Sequence, residues 1–228
     1  EAFAHQAPAL VAALERFARL DALQQLILIA MAQLTPDAEV LSCKAEPSWY
    51  SLFFCLDADR DGRLSHEELA YGLRQMLVES GSSASWRPAE DLLVMVKAID
   101  LDGSGFVEWV EWLAVAIAST PALAAGERHL ANAFRLMDRP TGDNALSFSD
   151  IAAVLDIEDG PETGDYPASK ELAERVLRRW AAPDSPQGAA MAKLGLAEVQ
   201  GAFRAIFQHT SHHALRSGLE SGGGSFGV

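Results

Sequence analysis

Two stretches of twelve residues carry oxygen donors at a spacing that suits a hard divalent cation. In the first, Asp57-Ala58-Asp59-Arg60-Asp61-Gly62-Arg63-Leu64-Ser65-His66-Glu67-Glu68, carboxylates stand at positions 1, 3 and 5. Arg63 offers its backbone carbonyl at position 7, Ser65 can hold a water at position 9, and Glu68 closes the shell with both oxygens at position 12. Gly62 falls at the sharp bend, where a residue without a β-carbon enters the left-handed region at low cost. The second stretch, Asp100 to Glu111, repeats the scheme with Asp102, Ser104, the Phe106 carbonyl and Glu108 between its ends and Gly105 at the bend. Six or more oxygen ligands in a flexible loop suit Ca2+ at each of the two sites. Mg2+ prefers a smaller octahedral shell with more water and can occupy such sites when calcium is absent.

The charge of the chain is focused on these stretches. The 228 residues carry 32 acidic and 18 basic side chains, a formal charge of -14. Between Asp57 and Glu111 lie twelve acidic and five basic residues, a net of -7, half the total in about a quarter of the chain. This balance argues against nucleic acid as a partner, because phosphate binding draws its affinity from clustered Lys and Arg. Cations or basic segments are the expected partners. An apolar fraction of 49% with ten Phe and five Trp is that of a folded chain.

Each loop needs a helix on either side to hold its ends. Trp49, Phe53, Phe54 and Leu56 precede the first loop, and Leu69, Leu73, Met76 and Leu77 follow it. Leu92, Leu93, Val96 and Ile99 precede the second, and Trp112, Leu113, Val115 and Ala116 follow it. Both sets recur at three- and four-residue intervals, the mark of amphipathic helices. Leu64 and Val107 are the inward apolar residues through which the two loops are expected to pair. A third unit has an entering helix over His129 to Met137 and an exiting one around Ile151, Val154 and Leu155. Its loop, Asp138 to Asp150, is one residue too long: counted from Asp138, Pro140, Gly142 and Ser149 occupy positions 3, 5 and 12. A fourth unit is expected from helical patterns over Glu171 to Trp180 and Leu196 to Phe207, joined by a span with one acid, Asp184. The third and fourth units are therefore expected to keep the helix-loop-helix form without metal.

The ends differ in character. Leu10, Leu14 and Phe17 form one apolar stripe, and Leu23, Leu26, Ile27, Ala30, Met31 and Leu34 form another behind an Asp21/Gln24 capping box. Thr35-Pro36 suits the start of a further helix, and Pro47-Ser48 breaks the chain before Trp49. The amphipathic N-terminal helices can fill a groove in their own chain or face a partner. Ser80 to Ser85 and Asp156 to Pro167 read as connectors, with Arg87-Pro88-Ala89-Glu90 at a helix start. The Gly-, Ser- and His-rich tail from Ser211 reads as solvated chain, although His209, His212 and His213 are transition-metal-capable in principle. Cys43 and Cys55 form no disulfide framework, which favours the cytoplasm or another reducing compartment. The start at Glu1 rather than Met is compatible with a processed product or a fragment, so a removed targeting segment stays open. No apolar stretch is long enough to span a bilayer.

From Leu14 through Leu155 the chain resembles the regulatory end of calcium-dependent protein kinases of plants and protists, built from EF-hands. Leu20 to Ala30 is similar to the junction helix of that family, Asp57 to Tyr71 to its first EF-hand, and Met95 to Ala118 to its second. Ala133-Phe134-Arg135-Leu136-Met137-Asp138 is similar to the entry of its third. The resemblance implies an all-α fold of paired EF-hands in two lobes, with calcium opening apolar grooves and rearranging the junction helix. The kinase part is absent: the chain has no Gly-rich nucleotide loop, no His-Arg-Asp run and no Asp-Phe-Gly, so no enzymatic activity is expected. The expected division is a junction-like segment over 1–46, a calcium-competent pair over 47–120, a degenerate pair over 121–210 and a tail over 211–228. Three functions follow: a calcium-binding regulatory or adaptor protein engaging a protein partner, a structural subunit of a larger assembly rigidified by calcium, or a detached regulatory module of such a kinase.

Overall fold

A computed structural model describes residues 3–36, 48–81, 88–120, 126–139, 142–155, 167–180 and 193–207. Among these the fold is all-α, apart from two short β contacts between loops. A turn of 3-10 helix, Ala4–Gln6, leads into α1, Ala7–Ala18, whose first turn accommodates Pro8 because the N–H it lacks has no helical partner there. Helix α2 spans Ala22–Leu34 and starts at the expected capping box, with the Gln24 N–H donating to Asp21 Oδ1 at 3.1 Å and the Asp21 N–H to Gln24 Oε1 at 3.0 Å.

Helix α2 departs from an amphipathic stripe. Every residue from Leu23 to Ala32 is buried, so the helix is enclosed on all sides rather than laid on a surface. Of the two alternatives left open by its sequence, packing inside its own chain is the one the fold adopts. Enclosure obliges its polar side chains to find partners. Gln24 Nε2 donates to the Ala202 carbonyl at 3.2 Å, and Gln25 Nε2 donates to the Phe17 carbonyl at 3.1 Å and reaches that of Ala98 at 3.5 Å.

The helices flanking the first loop are α3, Trp49–Leu56, and α4, His66–Glu79. Those flanking the second are α5, Ala89–Lys97, and α6, Trp109–Ser119. Their buried faces include Phe53, Leu73, Leu77, Leu92, Val96 and Trp112, while Phe54 is 52% exposed. The Trp112 indole N–H donates to the Trp49 carbonyl at 2.9 Å, locking α6 to α3. Then come α7, Gly126–Met137, α8, Phe148–Leu155, α9, Pro167–Trp180, and a last helix α10 over 196–207. Helix α2 packs against α6, α7, α8 and α9, and α1 packs against α4, α5 and α6.

The loops meet through backbone. Strand β1, Leu64–Ser65, lies antiparallel to β2, Phe106–Val107, with Leu64 opposite Val107, both fully buried. Leu146 of the third loop pairs with Leu194 in an isolated antiparallel bridge, each N–H donating to the other's carbonyl at 2.8 and 3.0 Å. Several expectations lie outside the described residues: a helix beginning at Thr35-Pro36, most of the Ser80 to Ser85 and Asp156 to Pro167 connectors, Cys43, and the tail with its histidines.

Enclosure of α2 makes a measurable claim. Leu26 and Leu28 point to nearly opposite sides of the helix, yet both are buried. Leu26→Ala and Leu28→Ala are each expected to cost about 2–5 kcal/mol in urea unfolding. A helix buried along a single stripe would lose that much at only one of the two.

Candidate calcium-binding loops

The first loop begins where α3 ends, its Asp57 N–H still donating to the Phe53 carbonyl. Asp57 Oδ2 then accepts the Gly62 N–H at 3.1 Å, pulling the chain into a bend that Arg60 (φ 63°) and Gly62 (φ 88°) absorb in the left-handed region. Asp59 Oδ1 accepts the Asp61 N–H at 3.1 Å, and Asp61 Oδ1 accepts the Arg63 N–H at 2.8 Å. These turns bring one oxygen each of Asp57, Asp59 and Asp61 within 4.8 Å of one another. The other oxygen of Asp57, Oδ1, is buried and has no hydrogen-bond partner. A buried carboxylate oxygen without a donor is costly, and a cation inside the bend would relieve it.

Glu68 closes this loop from the first turn of α4. Its Oε1 accepts the Ala58 N–H at 3.1 Å, and its Oε2 accepts the Ser65 N–H at 2.9 Å and the Ser65 hydroxyl at 2.7 Å. Burial acts to raise the Glu68 pKa, but hydrogen bonds from Ser65, Ala58 and Asp59 outweigh it and hold the carboxyl below its ordinary value. Ser65 also caps α4, accepting the Glu68 N–H, so the position 9 and position 12 residues are locked together.

The second loop is more buried. Oxygens of Asp100, Asp102 and Glu111 lie within 4.8 Å of one another. Asp100 Oδ1 accepts the Gly103 and Ser104 N–H groups at 2.8 and 3.0 Å, and its Oδ2 accepts the Gly105 N–H at 3.0 Å. The Ser104 hydroxyl sits 3.3 Å from the Phe106 carbonyl and 3.2 Å from Glu108 Oε1, which gathers the position 5, 7 and 9 residues. Glu111 accepts the Leu101 N–H at 2.7 Å and the Glu108 N–H at 3.2 Å. Burial, with like charges nearby, shifts the protonation of this group. Burial, the shared hydrogen bond with Asp100 and the charge of Glu108 push Asp102 up to about 7 against the pull of Ser104. Burial, reinforced by Asp102 and Glu108, holds Glu111 well above the carboxylate range. Across the loops the Arg63 guanidinium lies 5.4 Å from the centre of the Phe106 ring.

The third loop reproduces the first with one residue inserted. Asp138 Oδ2 accepts the Asn144 N–H at 2.9 Å, as Asp57 accepts that of Gly62, and Asn144 (φ 64°) takes the glycine's left-handed place. Asp143 Oδ1 accepts the Ala145 N–H at 3.1 Å, and Asp150 Oδ2 accepts the N–H of Ser147 at 2.8 Å. The difference is a cation. Lys193, next to the bridging Leu194, brings its ammonium onto Asp143 Oδ2. Its pKa is raised first by the Asp143 hydrogen bond, against desolvation, and further by Asp143, Asp150 and Asp138 as charges.

Sequence reasoning grouped the donors of both loops but missed three residues. His66 bonds to Asp100, Gln25 joins α2 to the end of the helical segment before the second loop, and Lys193 serves the third loop. Lys193 is the only basic residue between Ala181 and Leu194, the one signal that marked it. The contacts of His66 and Gln25 have no local signature.

The geometry defines an all-α, multi-helix fold with EF-hand-like loops, whose two acidic clusters are compatible with calcium binding. The EF-hand family model matches residues 51–70, most of α3, the first loop and the start of α4. Calcium-dependent protein kinase 4 of Plasmodium berghei is 31% identical over 112 residues, 47% of this chain and 21% of the kinase. Calcium-dependent protein kinase 16 of rice is 27% identical over 147 residues, 64% and 24% of the two chains. Calcium-dependent protein kinase 8 of Arabidopsis thaliana is 28% identical over 106 residues, 46% and 18%. The chain thus spans about a fifth to a quarter of the length of these relatives. A crystal structure of the C-terminal domain of another protein aligns over 88% of this chain and 99% of its own, at 17% identity and a TM-score of 0.32. No helix among the described residues is long and apolar enough to cross a membrane.

The raised carboxyls fix a pH dependence. A carboxyl whose folded-state pKa lies above its unfolded value binds more protons when folded, so stability falls as pH rises between the two values. Without metal, the loop is therefore expected to lose stability from about pH 4 to about pH 7, the window set by Asp102, with Glu111 acting in the same sense. Thermal unfolding in chelator across this range, compared with Asp102→Asn, checks it: the variant should show a flatter profile, and an equal slope would contradict the assignment.

Proposed function

We propose that the chain is a calcium-binding EF-hand regulatory or adaptor protein, holding two Ca2+ in its first two loops. Asp57, Asp59, Asp61, the Arg63 carbonyl, Ser65 and Glu68 would hold one ion; Asp100, Asp102, Ser104, the Phe106 carbonyl, Glu108 and Glu111 would hold the other. The observation that carries the reading is the convergence of Asp100, Asp102 and Glu111 within 4.8 Å, where burial and neighbouring carboxylates raise two of their pKa values. A divalent ion would supply the missing positive charge. The β1–β2 contact supports treating 47–120 as one pair, and the Leu146–Leu194 bridge supports 121–210 as a second. In that second pair we read Lys193 as occupying the electrostatic place of a metal, so the third hand stays metal-free. No part of the sequence supports catalysis.

Helix α2 gives the regulatory reading its mechanical element. It is the internal ligand of the fold, and it touches α6, which leaves the second loop. Calcium that pulls Glu111 toward Asp100 would load α6 and, through it, α2. The exposed Phe54, in ring contact with Tyr50 and Trp109, provides apolar surface for a protein partner. The same enclosure of α2 also favours the second reading, a structural subunit in which calcium only rigidifies the first pair. The resemblance to calcium-dependent kinases supports a third, the detached regulatory module of such an enzyme.

Calorimetric titration in physiological magnesium tests the proposal. Two calcium ions, not three or four, are expected to bind, each raising stability by about 2.7 kcal/mol at 100 times its dissociation constant. Glu68→Gln and Glu111→Gln should each abolish one of them. Protection of α2 amides from hydrogen exchange that changes with calcium marks a regulator, unchanged protection a structural subunit, and absence of binding defeats both.

A further inference from the structure

His66 occupies position 10 of the first loop and begins α4, yet its ring serves the second loop. Its Nε2 lies 2.9 Å from Asp100 Oδ2, with the two side chains only 12% and 4% exposed. An ionised carboxylate can only accept, so the ring N–H donates. Asp100 Oδ2 is thereby held between two donors of different origin: the Gly105 N–H of its own loop and an imidazole from the neighbouring one. Asp100 opens the second loop, and its orientation governs how the chain enters the bend.

We propose that His66 is a positioning residue that couples the two calcium sites, so that filling one raises the affinity of the other. The inference rests on the reading of both loops as calcium sites. Glu68, two residues beyond His66 in the same first turn of α4, is tied to the Ala58 and Ser65 N–H groups in this structure. Drawing its carboxylate onto an ion in the first loop shifts that turn, and His66 moves with it, carrying the donor that orients Asp100. In reverse, an ion that fixes Asp100 fixes His66 and hence the turn from which Glu68 must reach. Coupling between sites is reciprocal by linkage, so one contact serves both directions. The Leu64–Val107 backbone pairing joins the same loops, but the His66 hydrogen bond is a side-chain link that ends directly on a proposed ligand.

The test is the site-to-site coupling factor, obtained on the full chain from calcium affinities of the parent protein, Glu68→Gln and Glu111→Gln, each with and without a change at His66. His66→Phe and His66→Leu remove the donor with different residual volumes, and His66→Gln retains an amide N–H. Positive coupling of about 5-fold or more is expected in the parent. It should collapse toward unity in both donorless variants and persist in His66→Gln, with circular dichroism checking that each variant is folded. Two calcium ions bound with undiminished coupling in His66→Phe or His66→Leu would overturn the inference and leave the calcium sites standing. Loss of coupling in His66→Gln as large as in His66→Phe would overturn the role of the donor. Failure of the parent to bind calcium would instead defeat the underlying reading of the loops.

Discussion

Helix α2 is thirteen residues without a charged side chain, and water cannot be its neighbour. Ten consecutive residues, Leu23 to Ala32, are buried, so the other helices must enclose it. Two glutamines make the enclosure specific. Gln24 reaches the Ala202 carbonyl near the end of the chain, and Gln25 reaches Phe17 behind it and Ala98 ahead of the second loop. These bonds set the rotation of α2 as well as its position, because a buried amide turned away from its carbonyls would be left unsatisfied. The loops are thus mounted around a common shaft. The exit helix of the second loop, α6, and the entry helix of the third, α7, both rest on it.

The three visible loops answer one electrostatic problem in different ways. Each concentrates carboxylates to fold a short bend around an interior point. In the first, backbone N–H groups surround Asp57, Asp59, Asp61 and Glu68, yet Asp57 keeps one buried oxygen unserved. In the second, burial, reinforced by neighbouring carboxylates, raises the pKa values of Asp102 and Glu111. In the third, a lysine from the chain itself stands against Asp143, with Asp138 and Asp150 also acting on its charge. A tethered cation needs no exchange with solution, so the third loop offsets part of its negative charge from within the chain.

Much of the candidate site was legible before folding because its information is local. Donors at positions 1, 3 and 5 are drawn together by hydrogen bonds spanning two to five residues, and Gly62 and Gly105 are marked by a backbone conformation that other residues resist. The flanking helices were legible for the same reason, since a period of three to four residues is written along each segment. The stripe on α2 showed only half of its burial. Leu28, Ile29 and Ala32 lie off the stripe, and a one-sided pattern carries no record of what packs on the other side.

Sequence alone determined the composition of the two loops, the helices that bracket them and the poverty of the third loop in ligands, because these depend on residues adjacent in the chain. Tertiary structure decided that α2 is consumed internally, that His66 serves a loop 34 residues away, and that Lys193 reaches back 50 residues to Asp143. The reason is that a hydrogen bond or an ion pair between distant segments is selected by packing. Only when apolar burial has fixed the helices does a side chain such as His66 have one carboxylate within reach.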